Sequence, residues 1–210
     1  TKLLLHMDGT DGSQTFIDSS PQAHSISARG NAQIDTDQSV FGGASGLFDG
    51  SGDYLSALDS ADWYFGSGDF TIDLRVRFAG GVVSRGFVTQ YVDDNNQWAL
   101  YVPSDGSLRF LIVSGGSTIL NFYRSWSPSA NTWYHVAITR SGNDWRMFVN
   151  GQQLGSTLTV STAVPDFAGS LYVGCLTPTT YYMYGWLDEL RISKGVAAWT
   201  SNFTPPTAPY

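Results

Sequence analysis

The segment Phe70–Phe78, FTIDLRVRF, constrains the fold more than any other stretch of the chain. Phe70, Ile72, Leu74, Val76 and Phe78 alternate with Thr71, Asp73, Arg75 and Arg77, so in an extended backbone all the apolar side chains point one way. A period of two cannot bury a stripe on a helix, and the segment is expected to be a strand with one buried face. The same plan recurs along the chain. WALYVPSDGSLRFLIVS reads as two strands joined through Ser104 to Ser107, where Asp105-Gly106 permits the positive φ angles of a tight turn. WYHVAITRSGNDWRMFVNGQQLG repeats it, with turns at Ser141 to Asp144 and at Asn150-Gly151. No long stretch has helical periodicity, and no repeat of roughly 20–50 residues points to a propeller or solenoid.

Composition agrees. Of 18 acidic residues all but Glu189 are Asp, which favours turns and oxygen-ligand metal sites over helices, and 23 Gly accompany abundant Ser, Thr and aromatics. At 210 residues the chain suits one β-sandwich domain, expected over 1–204 with a Pro-rich tail or linker at 205–210. KLLLHM near the start and YGWLDELRIS near the end are expected to pair. A net charge of −7 and the lack of clustered Lys and Arg argue against nucleic acid as a partner. No apolar run approaches the ~20 residues of a membrane span, and TKLLLHMDGT is too short and polar for a signal peptide, so a targeting segment is expected outside these residues. Cys175, the only cysteine, can form no internal disulfide and reads as a small buried residue.

Five segments in order carry a resemblance: LLLHMDGTDGSQTFIDSS, FGGASGLFDGSGDYLSA, FGSGDFTIDLRVRF, TWYHVAITRSGNDWRMFVNGQQLG and GWLDELRISKGVA. Together they resemble the concanavalin A-like lectin and glucanase superfamily in its laminin-G-like branch, over roughly residues 3–204. The resemblance implies an all-β jelly-roll sandwich of two antiparallel sheets, one concave, with sugars often bound on that face or at its rim. It implies no single function, because the superfamily includes lectins, carbohydrate-binding modules, glycosidases, adhesion domains and parts of phage particles.

Alternation places Asp188 on one face with Tyr184, Trp186, Leu190 and Ile192, opposite Glu189 and Arg191. A carboxylate on an apolar face needs a partner. In similar proteins the Asp of this strand often helps hold a structural calcium, which suggests Asp188 with Asp8 and Asp18, and carbonyls near Gly46 to Asp49, as ligands. The alternative is an Asp188 that accepts hydrogen bonds from loop amides.

Sugar recognition needs aromatic platforms framed by planar polar groups. Three segments offer them: Tyr91, Asp93, Asp94, Asn95, Asn96 and Trp98 in QYVDDNNQW; Tyr123, Arg124 and Trp126 in NFYRSW; Tyr181 and Tyr182 in TTYYMY. A polar turn is the alternative for the first, and edge or core packing for the others. Arg75 and Arg77 share a face with Asp73 and could engage acidic or heavily hydroxylated glycans, or form an exposed charge cluster.

Glucanases of the superfamily carry an E-x-D-x-E strand, and a chain with one Glu lacks it. His6, His24 and His135 are scattered, with His135 expected in packing. We therefore expect a non-catalytic carbohydrate-binding module of an extracellular, secreted, cell-surface or virion-displayed protein. Its partner would be a glycan or polysaccharide, with other subunits or domains of a larger protein as further contacts. The alternative is a structural or adhesive domain, such as one on a phage particle or fibre, that binds protein rather than sugar.

Overall fold

The computed structural model describes residues 1–81 and 84–210. In chain order the strands are β1 (Leu3–Leu5), β2 (Ser27–Arg29), β3 (Gln33–Asp35), β4 (Ser45–Asp49), β5 (Tyr54–Ala57), β6 (Phe70–Phe78), β7 (Arg85–Asp93) and β8 (Asn96–Val102). They continue with β9 (Leu108–Ser114), β10 (Ser117–Arg124), β11 (Trp133–Ser141), β12 (Asp144–Val149), β13 (Gln152–Gln153), β14 (Leu158–Thr159), β15 (Ser170–Val173) and β16 (Tyr184–Lys194). Among the described residues the one helical element is the 3-10 turn Ala61–Trp63, and no helix is long and apolar enough to cross a membrane.

Among the described residues all pairings are antiparallel, in two sheets. The first sheet has nine strands, ordered β13-β12-β11-β6-β16-β4-β3, with β1 also on β16 and β14 on β12. The second has seven, ordered β10-β9-β8-β7-β15-β5-β2. This is a jelly-roll sandwich, as the sequence suggested. The apolar row of β6 lies wholly inside, and the terminal strands pair as expected, Leu3 opposite Ile192 and Leu5 opposite Leu190. The Asp105-Gly106 and Asn150-Gly151 turns fall where they were read, with Asn150 and Gly151 both at positive φ.

Aromatic rings fill the space between the sheets. Phe70 of the first sheet meets Phe110 of the second at 6.0 Å and Trp145 at 5.5 Å, and Trp98 stacks on Phe110 at 5.8 Å. Such tilted and offset pairs add to the burial of the rings.

Parity fails in β16, where the register against β6 shifts between Asp188 and Arg191 and Glu189 takes φ +50°. The bulge places two successive residues on one side of the count. Leu187, Leu190 and Ile192 all reach the core, and Asp188 stands on the outer face with Trp186 rather than with Leu190 and Ile192. The residues after β16 fold back across this outer face. Trp199 and Phe203 stack at 4.0 Å, the Phe203 amide donates to the Gly151 carbonyl, and the Arg75 guanidinium donates to the Pro206 carbonyl. The 205–210 segment, read as a tail or linker, therefore lies packed on the sheet.

Candidate functional site

The outer face of the seven-stranded sheet is built by alternation in its short strands. In β15 and β5, Leu171, Val173, Leu55 and Ala57 point into the core, which sends Ser170, Tyr172, Tyr54 and Ser56 outward. Ala28 packs against the core from β2, so Ser27 and Arg29 point outward too. The register brings these side chains together: Ser27 opposite Ser56, Arg29 opposite Tyr54, Tyr172 opposite Ser56, and Ser170 opposite Tyr91. Tyr172 is the centre of the aromatic group, with Tyr54 edge-on at 5.7 Å and Tyr91 edge-on at 6.5 Å. Beside Tyr54 and Tyr172 lies a groove of about 360 Å³, lined by these rings, Arg29 and hydroxyls that include Ser25, Ser27, Ser56 and Ser170. It falls within the range of small-ligand sites, and the highly exposed Leu58 also lines it.

The middle of the same face is closed. Leu176 sits on Ala99 and Tyr101 beside Leu111, carried there by the segment that follows β15. Gly86 permits this approach, because a Cβ there would collide with the Cys175 backbone, and its amide donates to the Tyr181 carbonyl at 2.8 Å. Cys175 is buried, and burial pushes its thiol up to about 12, as suits an inert residue.

Of the aromatic and polar residues read in the sequence, the structure sets Tyr91 edge-on to Tyr172, which lines this groove. The Tyr91 hydroxyl donates to Asp94 at 3.0 Å. Asp93 accepts from the Asn95 amide and the Asn96 side chain, and Asn96 accepts from the Gly115 amide, so both serve the turn itself. Trp98 is wholly buried and donates its indole N–H to Gln90 inside the sandwich, which removes it from any sugar platform. Trp126 packs on Phe78 and Tyr134 against the core, and Arg124 is held by the Ser156 and Tyr123 carbonyls. Tyr181 is 46% exposed, and the Tyr182 hydroxyl donates to the Pro178 carbonyl at 2.7 Å. Burial pushes the Tyr182 phenol up, with Cys175 and Tyr54 adding to the rise.

Arg75 and Arg77 face away from this site, on the nine-stranded sheet. Arg77 donates to Gln38 and Asn131 and lies 5.1 Å over the Trp186 ring, while Arg75 serves the C-terminal segment. Beneath that segment Asp73 is fully buried, accepting from Arg191 at 3.0 Å and from the Tyr210 hydroxyl and facing His135 at 3.2 Å. Burial pushes His135 down, so its neutral form is favoured, and among the described residues no serine or cysteine hydrogen-bonds it. Asp73, His135, Arg191 and Tyr210 form one buried cluster that holds the C-terminal segment on the sheet.

The three carboxylates read as metal ligands are divided. Asp18 accepts from the Leu4, Ser20 and His24 amides and from the Ser20 hydroxyl, so both its oxygens anchor the N-terminal loop. Asp188 Oδ2 accepts from the Val40 and Phe41 amides, whereas its Oδ1 is buried with no hydrogen-bond partner among the described residues. Asp8 lies against Gly42, where a Cβ would strike its carboxylate, and stands close enough to Asp188 to act on its charge. Among the described residues no three His, Cys, Asp or Glu side chains form a group able to hold a metal. A hard cation between Asp8 and Asp188 would need carbonyl or water oxygens to complete its shell.

Burial pushes Asp188 up to about 7, and nearby Glu189 and Asp8 add to the rise. Its protonated form is favoured in the folded state, so its stabilising effect is complete below the ordinary value of 3.8 and is lost as pH rises through about 7. With chelator present, Asp188→Asn is expected to raise stability near pH 8 by on the order of 2–3 kcal/mol, measured by urea unfolding. An unchanged or lowered stability contradicts this.

The chain is thus an antiparallel sandwich with a groove of tyrosine rings and hydroxyls on the outer face of one sheet. The chain belongs to the concanavalin A-like lectin/glucanases superfamily, whose laminin-G-type sequence profile matches residues 48–200. No curated protein matches it in sequence. Among solved structures it is similar to domain 4 of AbnA, a GH43 extracellular arabinanase from Geobacillus stearothermophilus, in complex with arabinotriose. That match has 17% identity and TM-score 0.71, covering 94% of this chain and 93% of that one. It is also similar to the binding domain of botulinum neurotoxin serotype G, at 12% identity and TM-score 0.69, covering 96% of this chain. The binding domain of Paraclostridial Mosquitocidal Protein 1 follows at 16% identity and TM-score 0.64, covering 90%. The chain spans 48% of each toxin domain. At these identities the likeness is one of fold.

Proposed function

We propose that this domain is a non-catalytic carbohydrate-binding module of an extracellular or surface-displayed protein, and that it binds glycan in the groove around Tyr172. The observation that carries the reading is the combination of two tyrosine rings, Tyr54 and Tyr172, and a set of outward serine hydroxyls in one groove, with Tyr91 edge-on to Tyr172. Ring faces stack on the apolar face of a pyranose or furanose, and hydroxyls exchange hydrogen bonds with those of the sugar. The arabinotriose complex of a domain with the same fold over nearly its whole length supports it. The lone Glu189 is 2% exposed and pairs with His6, which leaves no solvent-facing Glu for hydrolysis. We further propose that calcium, bound through Asp8 and Asp188, braces the loop at Val40 and Phe41 against β16. Added calcium should then raise the unfolding midpoint of the parent protein and leave Asp188→Asn unmoved.

Affinity electrophoresis against a panel of polysaccharides tests the sugar site. Tyr172→Ala is expected to weaken binding by roughly 10-fold to 100-fold, the scale of one lost aromatic platform, with little change in unfolding midpoint. Binding that survives Tyr172→Ala and Tyr54→Ala undiminished would place the site elsewhere.

A further inference from the structure

The charge of the groove narrows its ligand. The chain has eleven Lys and Arg side chains. Lys2 pairs with Asp62, Lys194 donates to the Ala61 carbonyl, and Arg109, Arg146 and Arg191 pair with Asp105, Asp144 and Asp73. Arg75, Arg77, Arg85, Arg124 and Arg140 donate to carbonyl or side-chain oxygens. Among the described residues Arg29 alone has neither an ion pair nor a side-chain hydrogen bond, and it is the only charged side chain lining the groove. β2 is the edge strand of its sheet, which leaves the Arg29 side chain exposed beside Tyr54. A chain of net charge −7 repels polyanions in general, so an unneutralised arginine at this one groove is a local exception.

We propose that the groove takes an acidic glycan, whose carboxylate or sulfate group is held by Arg29 while a ring of the same chain stacks on the tyrosines. A guanidinium offers paired N–H donors in one plane, which match the two oxygens of a carboxylate or sulfate. The serines facing Arg29 across the groove would bind the sugar hydroxyls. The proposal rests on the glycan-binding reading above and adds the class of sugar.

The test uses matched gels of polygalacturonate and its carboxyl-reduced form, and of dextran sulfate and plain dextran, run with the full chain and with Arg29→Gln, Arg29→Lys and Tyr172→Ala. Retardation is expected in at least one charged gel, and which one identifies the group. It should weaken with added salt, fall about tenfold or more in Arg29→Gln, and recover in part in Arg29→Lys. The unfolding midpoint of Arg29→Gln should match the parent, because the side chain has no hydrogen-bond or ion-pair partner among the described residues. Equal retardation by charged and uncharged members, or by parent and Arg29→Gln, overturns the role of Arg29 and leaves glycan binding intact. No retardation in either charged gel overturns the acidic class. Failure against every neutral polysaccharide as well overturns the glycan reading itself.

Discussion

Trp98→Ala is expected to lower folding stability by about 3–5 kcal/mol, measured by urea unfolding, as for large aromatic truncations in packed cores. The ring is wholly buried, stacks on Phe110, meets Phe65 at 5.5 Å and gives its N–H to Gln90. Truncation opens a cavity and leaves the Gln90 carbonyl without this donor. The residue was attractive as a sugar platform because it follows a polar turn, and the two roles separate cleanly. A platform tryptophan would lose affinity and keep stability when replaced. If Trp98→Ala unfolds at the parent urea midpoint, Trp98 does not pack in the core.

Asp73→Ala is expected to cost about 3–5 kcal/mol as well, for a different reason. Asp73 is fully buried and faces Arg191, His135 and the Tyr210 hydroxyl together, so its removal leaves a partly buried guanidinium without its counter-charge. Tyr210 also lies with the Arg191 guanidinium 3.5 Å over its ring and its amide donating to Glu189. Loss of Asp73 should therefore loosen the segment from Trp199 to Tyr210. Limited chymotrypsin digestion is expected to cut this segment faster in Asp73→Ala than in the parent at equal fraction folded. Equal cutting rates would mean that the segment is held by the Trp199–Phe203 stack and its backbone bonds alone.

The sandwich was legible because its evidence is local. In β6, β8, β9 and β11 the alternation can be read from the residues themselves, and the Asp-Gly and Asn-Gly turns join neighbouring strands. The bulge at Glu189 was not legible, since an extra residue is defined only against the partner strand, and it reversed the face assigned to Leu190 and Ile192 relative to Asp188. The grooved face shows the same limit. Parity within SLYV and YLSA sends Tyr172, Ser170, Tyr54 and Ser56 away from the core side, so half of the signal was present. The other half, β15 lying between β5 and β7 with β2 at the edge, depends on pairings between residues far apart in sequence. Large aromatics near turns drew the sequence reading to Trp98 and Trp126, which the core claims, while the groove is built from smaller strands of ordinary composition.

Glycan binding is proposed on the outer face of the seven-stranded sheet, at Tyr172. Backbone amide chemical-shift mapping, titrating labelled protein with an oligosaccharide of the polysaccharide that retards it most, tests this directly. Shifts should cluster on Arg29, Tyr54, Ser56, Ser170, Tyr172 and Tyr91 and leave Asp73, Arg75 and Arg77 still. Shifts confined to the opposite sheet, or to the loops around Tyr123 and Arg124, would contradict it.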